Sequence, residues 1–145
     1  MSLPNEEPLD NEIGWVAKHT QRYVESGGAD GHEWRGATCL VLTTMGRTSG
    51  KLRRNALIYV ENDSKYYVVA SFGGKPQHPA WYFNLDAEPD VRVQVRDRIM
   101  DATARTLEGR ERDAIMPKCI EMWPDYAEYQ KKTNRQFPVV EITPA

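Results

Sequence analysis

The chain has 145 residues, enough for one domain with a hydrophobic core. A formal net charge of −2 argues against a general nucleic-acid binder, although basic residues gather between Arg47 and Arg54. No apolar run is long enough to span a membrane, and Glu6, Glu7 and Asp10 do not form the positive start of a secretory leader, so a cytoplasmic protein is expected.

Residues 1–9 are polar and contain prolines, which predicts a loose tail. In residues 10–26, Ile13, Val16, Ala17 and Tyr23 fall at near-helical spacing with Trp15 nearby, and Gly27-Gly28 ends the run. An amphipathic helix is expected there. Its expected role is to cover the core or one end of a cleft, with peripheral contact to a membrane surface as the alternative. Tail and helix make an N-terminal segment, residues 1–36, attached to a single domain over residues 37–145.

Residues 37–44 are apolar and β-branched and predict a buried strand. The 46–50 turn follows. Two further strands are expected over residues 54–61 and 65–71, joined by Asn62-Asp63-Ser64. Residues 79–88 predict a short helix with Pro79 at its start. Val91, Val93 and Val95 then alternate with Arg92, Gln94 and Arg96, the pattern of a half-buried strand. Asp97-Arg98 turns this into another strand over residues 99–107. Helical spacing runs over residues 108–122, interrupted by Pro117, and a short helix is expected over 124–133. A strand at 137–142 closes the chain. About six antiparallel strands with few, short helices predict a mainly β (α+β) fold, a compact β-barrel decorated by helices. Cys39 and Cys119 lie far apart in apolar surroundings and read as small core residues.

The basic turn reads Gly46-Arg47-Thr48-Ser49-Gly50-Lys51-Leu52-Arg53-Arg54. Glycines free the backbone, the hydroxyls of Thr48 and Ser49 donate, and arginine pairs bidentately with phosphate or carboxylate. It is not a P-loop: the glycines are one residue too close, and Leu52 replaces the metal-binding hydroxyl. Composition alone leaves an anion site and an ordinary solvated hairpin equally open.

The second constellation is aromatic: Ser71-Phe72-Gly73-Gly74, then His78-Pro79-Ala80-Trp81-Tyr82-Phe83-Asn84. Three consecutive aromatics on a helix cannot all face inward, and paired glycines permit close backbone approach to a ligand. Core packing and a cleft that flanks a flat ring both fit. His78 reads as conformational or capping rather than catalytic. A third stripe, Trp123, Tyr126 and Tyr129, repeats every three residues and reads as core packing or as phenols in a pocket. His19, His32 and His78 are isolated, so no metal is expected. With little unaided chemistry in the side chains, a borrowed cofactor is expected.

These segments in order, Leu42-Thr43-Thr44-Met45-Gly46-Arg47-Thr48-Ser49-Gly50, Val69-Ala70-Ser71-Phe72-Gly73-Gly74 and His78-Pro79-Ala80-Trp81-Tyr82-Phe83-Asn84-Leu85, resemble the deazaflavin-dependent nitroreductase family of actinobacteria. Tyr126-Ala127-Glu128-Tyr129-Gln130 and Phe137-Pro138-Val139-Val140 extend the resemblance. It implies a split β-barrel like the FMN-binding split barrel. It also implies an oxidoreductase that binds reduced coenzyme F420, an 8-hydroxy-5-deazaflavin with an oligoglutamate tail, and passes hydride to a quinone, nitroaromatic or other activated acceptor. By position, Arg47, Thr48, Ser49 and Arg53 are implied to meet the phosphate and acidic tail, helped by Lys51 and Arg54. Asn55, Ala56, Leu57, Ile58, Ala70, Ser71 and Phe72 are implied to line the deazaflavin, with Ala80, Trp81 and Asn84 bordering the cleft. Tyr126 and Tyr129 are the implied catalytic phenols.

The family's prodrug-activating member carries Lys where this chain has Phe72, so Lys75 is expected to replace one tail contact. It carries Tyr where this chain has Ile58 and Trp123, so a different acceptor range is expected. An FMN-dependent split barrel, a non-catalytic deazaflavin carrier or sensor, and a dimeric structural barrel whose aromatic cluster is an interface are the alternatives. Monomer and homodimer are both open.

Overall fold

The computed structural model describes residues 2–145. In chain order the elements are α1 (Gly14–Glu25), β1 (Glu33–Trp34), β2 (Ala37–Met45), β3 (Leu52–Ile58), β4 (Val60–Asn62) and β5 (Lys65–Val69). A short 3-10 turn (Phe72–Gly74) precedes α2 (Ala80–Ala87), β6 (Asp90–Val95), β7 (Arg98–Thr106), α3 (Gly109–Met122), α4 (Asp125–Gln130) and β8 (Val139–Pro144).

Alternation along the strands sorts the apolar side chains onto two sides of the sheet. β2 sends Leu40 and Leu42 inward, and Cys39 and Val41 outward beneath α1, where Tyr23 packs. β5 sends Tyr66 and Val68 inward, and Tyr67 and Val69 outward beneath Ile115 and Cys119 of α3. Val91, Val93 and Val95 of β6, with Val140 and Ile142 of β8, complete the interior. Burying each such aliphatic side chain contributes roughly 1.5–3 kcal/mol relative to exposure, so this interior dominates the stability.

The ladders between strands are all antiparallel, and the sheet order is β1-β2-β6-β7-β8-β5-β4, with β3 also on β2. The single strand expected over residues 54–61 is two. Its first part pairs with β2, from Met45↔Leu52 to Cys39↔Ile58, and its second with β5, starting at Val60↔Tyr67. One segment thus changes partner at Tyr59 and curls the sheet into a split-barrel shell. Tyr59 is 7% exposed at that bend. Its N–H donates to the Thr38 carbonyl at 3.0 Å, and its hydroxyl meets His32 Nε2 at 2.9 Å. A run of strand-forming residues carries no sign of such a change of partner.

Other boundaries also move. The first helix starts at Gly14, because residues before it lie along β3: Leu9 N–H donates to the Leu52 carbonyl and Arg54 N–H to the Leu9 carbonyl. This strap covers an edge that would otherwise invite strand addition. Thr20 of α1 covers more of it, accepting the Ala56 N–H at 3.0 Å. Tyr23, fully buried, donates its hydroxyl to the Cys39 carbonyl and accepts the Arg96 N–H. Ile13 is exposed rather than core. α3 runs through Pro117 as one element, because Ile115 and Cys119 on either side of it bury against the sheet. Burial pushes the Cys39 thiol up to about 12 and the Cys119 thiol up to about 11, so both stay protonated and inert. No helix among the described residues is long and apolar enough to cross a membrane.

Candidate functional site

A cleft of about 730 Å³ opens alongside β3. That volume lies within the ordinary range of small-molecule and cofactor sites. Its walls are the N-terminal strap, the basic turn, the Ser71–Gly73 corner, the start of α2, and the phenols of α4.

The basic turn is built by its glycines. Gly46 N–H donates to the Lys51 carbonyl at 2.8 Å and Gly50 N–H to the Gly46 carbonyl at 2.9 Å. A Cβ on Gly46 would stand 2.4 Å from Ser49 Oγ and 2.9 Å from the Lys51 carbonyl, and Gly50 has φ +68°. Only glycine suits either end without a shift. The turn is docked on α2 by Asn84, 4% exposed. Asn84 Oδ1 accepts Arg47 Nη1 at 2.8 Å and the Arg47 N–H at 3.2 Å, while Asn84 Nδ2 donates to Thr44 Oγ1 at 3.3 Å. The Arg47 guanidinium also lies 5.2 Å from the Phe83 ring centre.

Arg54 is committed elsewhere. Its Nε donates to Asp10 Oδ1 at 2.6 Å and its Nη2 to Asp10 Oδ2 at 3.4 Å. Burial pushes the Asp10 carboxyl up, but the hydrogen bonds from Arg54 and Gln21 and the Arg54 charge outweigh it and hold the carboxyl below its ordinary value. Asn11 Nδ2 adds a bond to Asn55 Oδ1 at 2.7 Å. Among the described residues, Arg53 and Lys51 have no acidic partner.

Of the residues singled out in the sequence, Arg47, Thr48, Ser49, Arg53, Arg54, Asn55, Ala56, Leu57, Ile58, Ser71, Phe72, Ala80, Trp81, Asn84, Tyr126 and Tyr129 all line this cleft. Lys51 and Ala70 are not in its wall. Lys51 is exposed on the hairpin, its N–H bonded to Ser49 Oγ, and Ala70 is fully buried in the barrel interior.

The opposite wall is aromatic, and sequence reasoning missed its centre. Trp34 of β1 stacks on Trp15 (5.8 Å, 11°), lies 6.1 Å from His19 and meets Trp123 at 5.3 Å. Trp123 Nε1 donates to the Tyr129 hydroxyl at 3.4 Å, and Tyr129 meets Tyr126 edge-on at 6.3 Å. Trp34 sits in a polar, glycine-bounded stretch with no periodicity, so nothing in the sequence marked it.

Tyr126 is 5% exposed, and its hydroxyl has no hydrogen-bond partner among the described residues. Burial above all, then Cys119, Cys39 and Tyr129, pushes its ionisation far above the ordinary phenol value. The phenol therefore stays a donor across the physiological range. His78 does not reach the cleft wall; its Nδ1 accepts Arg135 Nη1 at 2.6 Å.

A partnerless phenol, an aromatic wall, and a basic turn whose Arg53 and Lys51 lack acidic partners are chemically suited to a planar ligand with an anionic tail. Fold and site together define a split-barrel oxidoreductase. The model of the F420H(2)-dependent quinone reductase family matches residues 15–144. The chain belongs to that family, oxidoreductases that depend on reduced coenzyme F420. An F420H(2)-dependent quinone reductase of Mycobacterium tuberculosis (strain ATCC 25618 / H37Rv) is 33% identical, with 93% of this chain and 95% of that protein covered. Among solved structures, an F420-H2 dependent reductase (FDR-A) is 48% identical with a TM-score of 0.68, covering 74% of this chain and 94% of that one. A structure described as a domain-swapped dimer is 44% identical with a TM-score of 0.70, covering 91% and 99%. The haem storage protein HutZ of Vibrio cholerae, 14% identical with a TM-score of 0.59 and 90% of each chain covered, shares the fold alone.

Proposed function

We propose that the cleft holds reduced coenzyme F420 with its acidic tail on the basic turn, and reduces quinones and activated nitro compounds. The observation that carries this is the division of labour among the cations. Arg54 is neutralised by Asp10, and Arg47 is braced by Asn84, while Arg53 faces the cleft and Lys51 flanks it without acidic partners. Thr48 and Ser49 add hydroxyl donors beside them. Charge-assisted hydrogen bonds of this kind contribute roughly 1.5–3 kcal/mol each.

When bound, the reduced coenzyme supplies the hydride. β3 contributes Asn55, Ala56, Leu57 and Ile58 to the lining, and Ser71, Phe72 and Trp81 add to it from the 70–81 segment. Trp34 and Trp123 offer an apolar ring face to the acceptor. Holding both reactants in one slot supplies much of the rate. Tyr126 keeps its proton on Oη for an oxygen of the acceptor, and the Trp123 bond leaves the Tyr129 O–H free to donate as well. Leu9, Ile13 and Trp15 are exposed near the mouth, an apolar rim that suits acceptors arriving from a lipid surface. The domain-swapped relative supports a homodimer as the working assembly.

All four tryptophans line the cleft, so their fluorescence reports its occupancy. Titration with coenzyme F420 beside FMN, at low and high salt, is the direct test. Tight, salt-sensitive quenching by F420 alone is expected, followed by turnover with a quinone. Preference for FMN, or binding without turnover on any acceptor, would overturn the reading.

A further inference from the structure

The corner between β5 and α2 is strained. Phe72 has φ +49°, Gly73 +63° and Gly74 +84°, three successive left-handed positions. A left-handed non-glycine residue costs about 1–2 kcal/mol and persists only where its surroundings enforce it. The corner also abuts α4, since a Cβ on Gly74 would stand 2.7 Å from the Tyr129 carbonyl.

One side chain holds this corner. Arg135 Nη1 donates to the Ala70 carbonyl at 3.0 Å and to His78 Nδ1 at 2.6 Å. Its Nη2 donates to the Ser71 carbonyl at 2.7 Å and the Lys75 carbonyl at 3.0 Å, and Nε reaches Lys75 at 3.2 Å. The guanidinium lies 4.8 Å from the Phe137 ring centre. Its own backbone is tied to α4, because Gln130 Nε2 donates to the Arg135 carbonyl at 2.7 Å. The same residue therefore grips the corner that carries Ser71 and Phe72 and the helix that carries Tyr126 and Tyr129.

We infer that Arg135 is a positioning residue for the reaction: by clamping the 70–78 corner to α4 it sets the spacing between the cofactor wall and the phenols. The consequence for cofactor binding rests on the function proposed above; the clamp itself does not. A planar fork with several N–H groups is needed, because one ammonium cannot span acceptors on Ala70, Ser71, Lys75 and His78. The clamp also requires a neutral His78, since Nδ1 must accept. Burial first, then the Arg135 charge, holds that imidazole below its ordinary value, with Asp86 opposing; Tyr82 and Phe83 of α2 are the remaining ring neighbours. Acid therefore loosens the clamp by placing a second cation against Arg135.

The test uses Arg135→Lys and His78→Asn in the full chain. Gly74 N–H and Lys75 N–H are bonded inside the corner, to the Ser71 and Phe72 carbonyls. In cofactor-free R135K their hydrogen exchange is expected to quicken about tenfold, the scale of one lost charged hydrogen bond, with β6 and β7 amides unchanged. Coenzyme F420 affinity is expected to fall about as much. In H78N, whose amide oxygen replaces Nδ1 and does not titrate, affinity falls less steeply in acid than in the wild type, whose imidazole takes up its proton only below its ordinary value. Unchanged exchange at Gly74 and Lys75, or faster exchange with unchanged affinity, would overturn the inference, as would equal acid limbs in H78N and wild type. Should R135K not fold, the H78N comparison decides. If the wild type binds no deazaflavin, the functional reading falls while the exchange result still decides the clamp.

Discussion

Replacing Asn84 separates the stability of the basic turn from its charge. The Asn84→Ala variant removes the acceptor shared by the Arg47 guanidinium and N–H, and the donor to Thr44. The bond to a charged group contributes about 1.5 kcal/mol at the exposed end of its range, and the two neutral bonds roughly 0.5–1 kcal/mol each. A loss of about 3 kcal/mol follows, which lowers the melting temperature by roughly 6–12 °C in a domain of this size. Without its brace Arg47 is held only by the long 3.4 Å bond to the Ala80 carbonyl and by the Phe83 ring, and coenzyme F420 affinity is expected to fall about tenfold, one charged hydrogen bond's worth. The Asn84→Asp variant behaves differently. Its carboxylate still accepts from Arg47, and the Thr44 hydroxyl can turn to donate, so stability stays nearer the wild type. Its negative charge neutralises Arg47 and repels an anionic tail, so affinity falls further than in N84A, and most steeply at low salt. Urea denaturation gives the stability, and tryptophan quenching at two salt concentrations gives the affinity. Wild-type affinity in N84D would refute the assignment of the turn to an anion, and wild-type affinity in N84A would refute the bracing role.

Other outcomes follow from the same geometry. Tyr126→Phe removes a hydroxyl that no described residue bonds, so stability is expected to stay within about 0.5 kcal/mol while kcat with a quinone falls roughly 10- to 100-fold; an unchanged kcat would assign the proton to solvent. Trp34→Ala removes the central ring of the aromatic wall and is expected to raise the quinone KM about tenfold while leaving coenzyme affinity near wild type, measured by steady-state kinetics and titration. Asp10→Ala unlatches the strap at a cost of about 1–2 kcal/mol, between exposed and buried ion pairs. Because the folded-state pKa of Asp10 is depressed, its contribution is full above the ordinary value of 3.8 and is lost as pH falls through the lower folded value. Stability curves of wild type and D10A are therefore expected to converge in acid, and parallel curves would contradict the latch.

Much of the scaffold was legible because its signals are local. The alternation of Val91, Val93 and Val95, the bounding glycines of the basic turn and the start of α2 at Pro79 each reflect geometry within a few residues. What stayed hidden depends on distant chain. The Arg54–Asp10 pair joins residues 44 positions apart, and the Arg135–His78 contact joins residues 57 apart. Composition placed Arg54 among the free cations of the turn because nothing in it reveals that the tail folds back. The helix start was misplaced for the same reason: residues 10–13 have helical spacing, but the Leu9 backbone and the Asp10 and Asn11 side chains are held on β3 first. Trp34 lay in an unpatterned stretch, and only the fold brings it between Trp15 and Trp123.

The bend at Tyr59 makes the β3 lining of the cleft and the last seam of the shell one continuous segment. Unzipping β3 from β2 opens the site and the barrel in a single event. Any ligand seated on Asn55, Ala56, Leu57 and Ile58 therefore holds that seam shut, and stabilises the fold by RT ln(1 + [L]/Kd), about 2.7 kcal/mol at a hundredfold excess over Kd. With the cofactor seated as proposed, the cofactor-free chain is therefore expected to be cut faster along this seam than the loaded one, so occupancy of the site would govern persistence as well as activity.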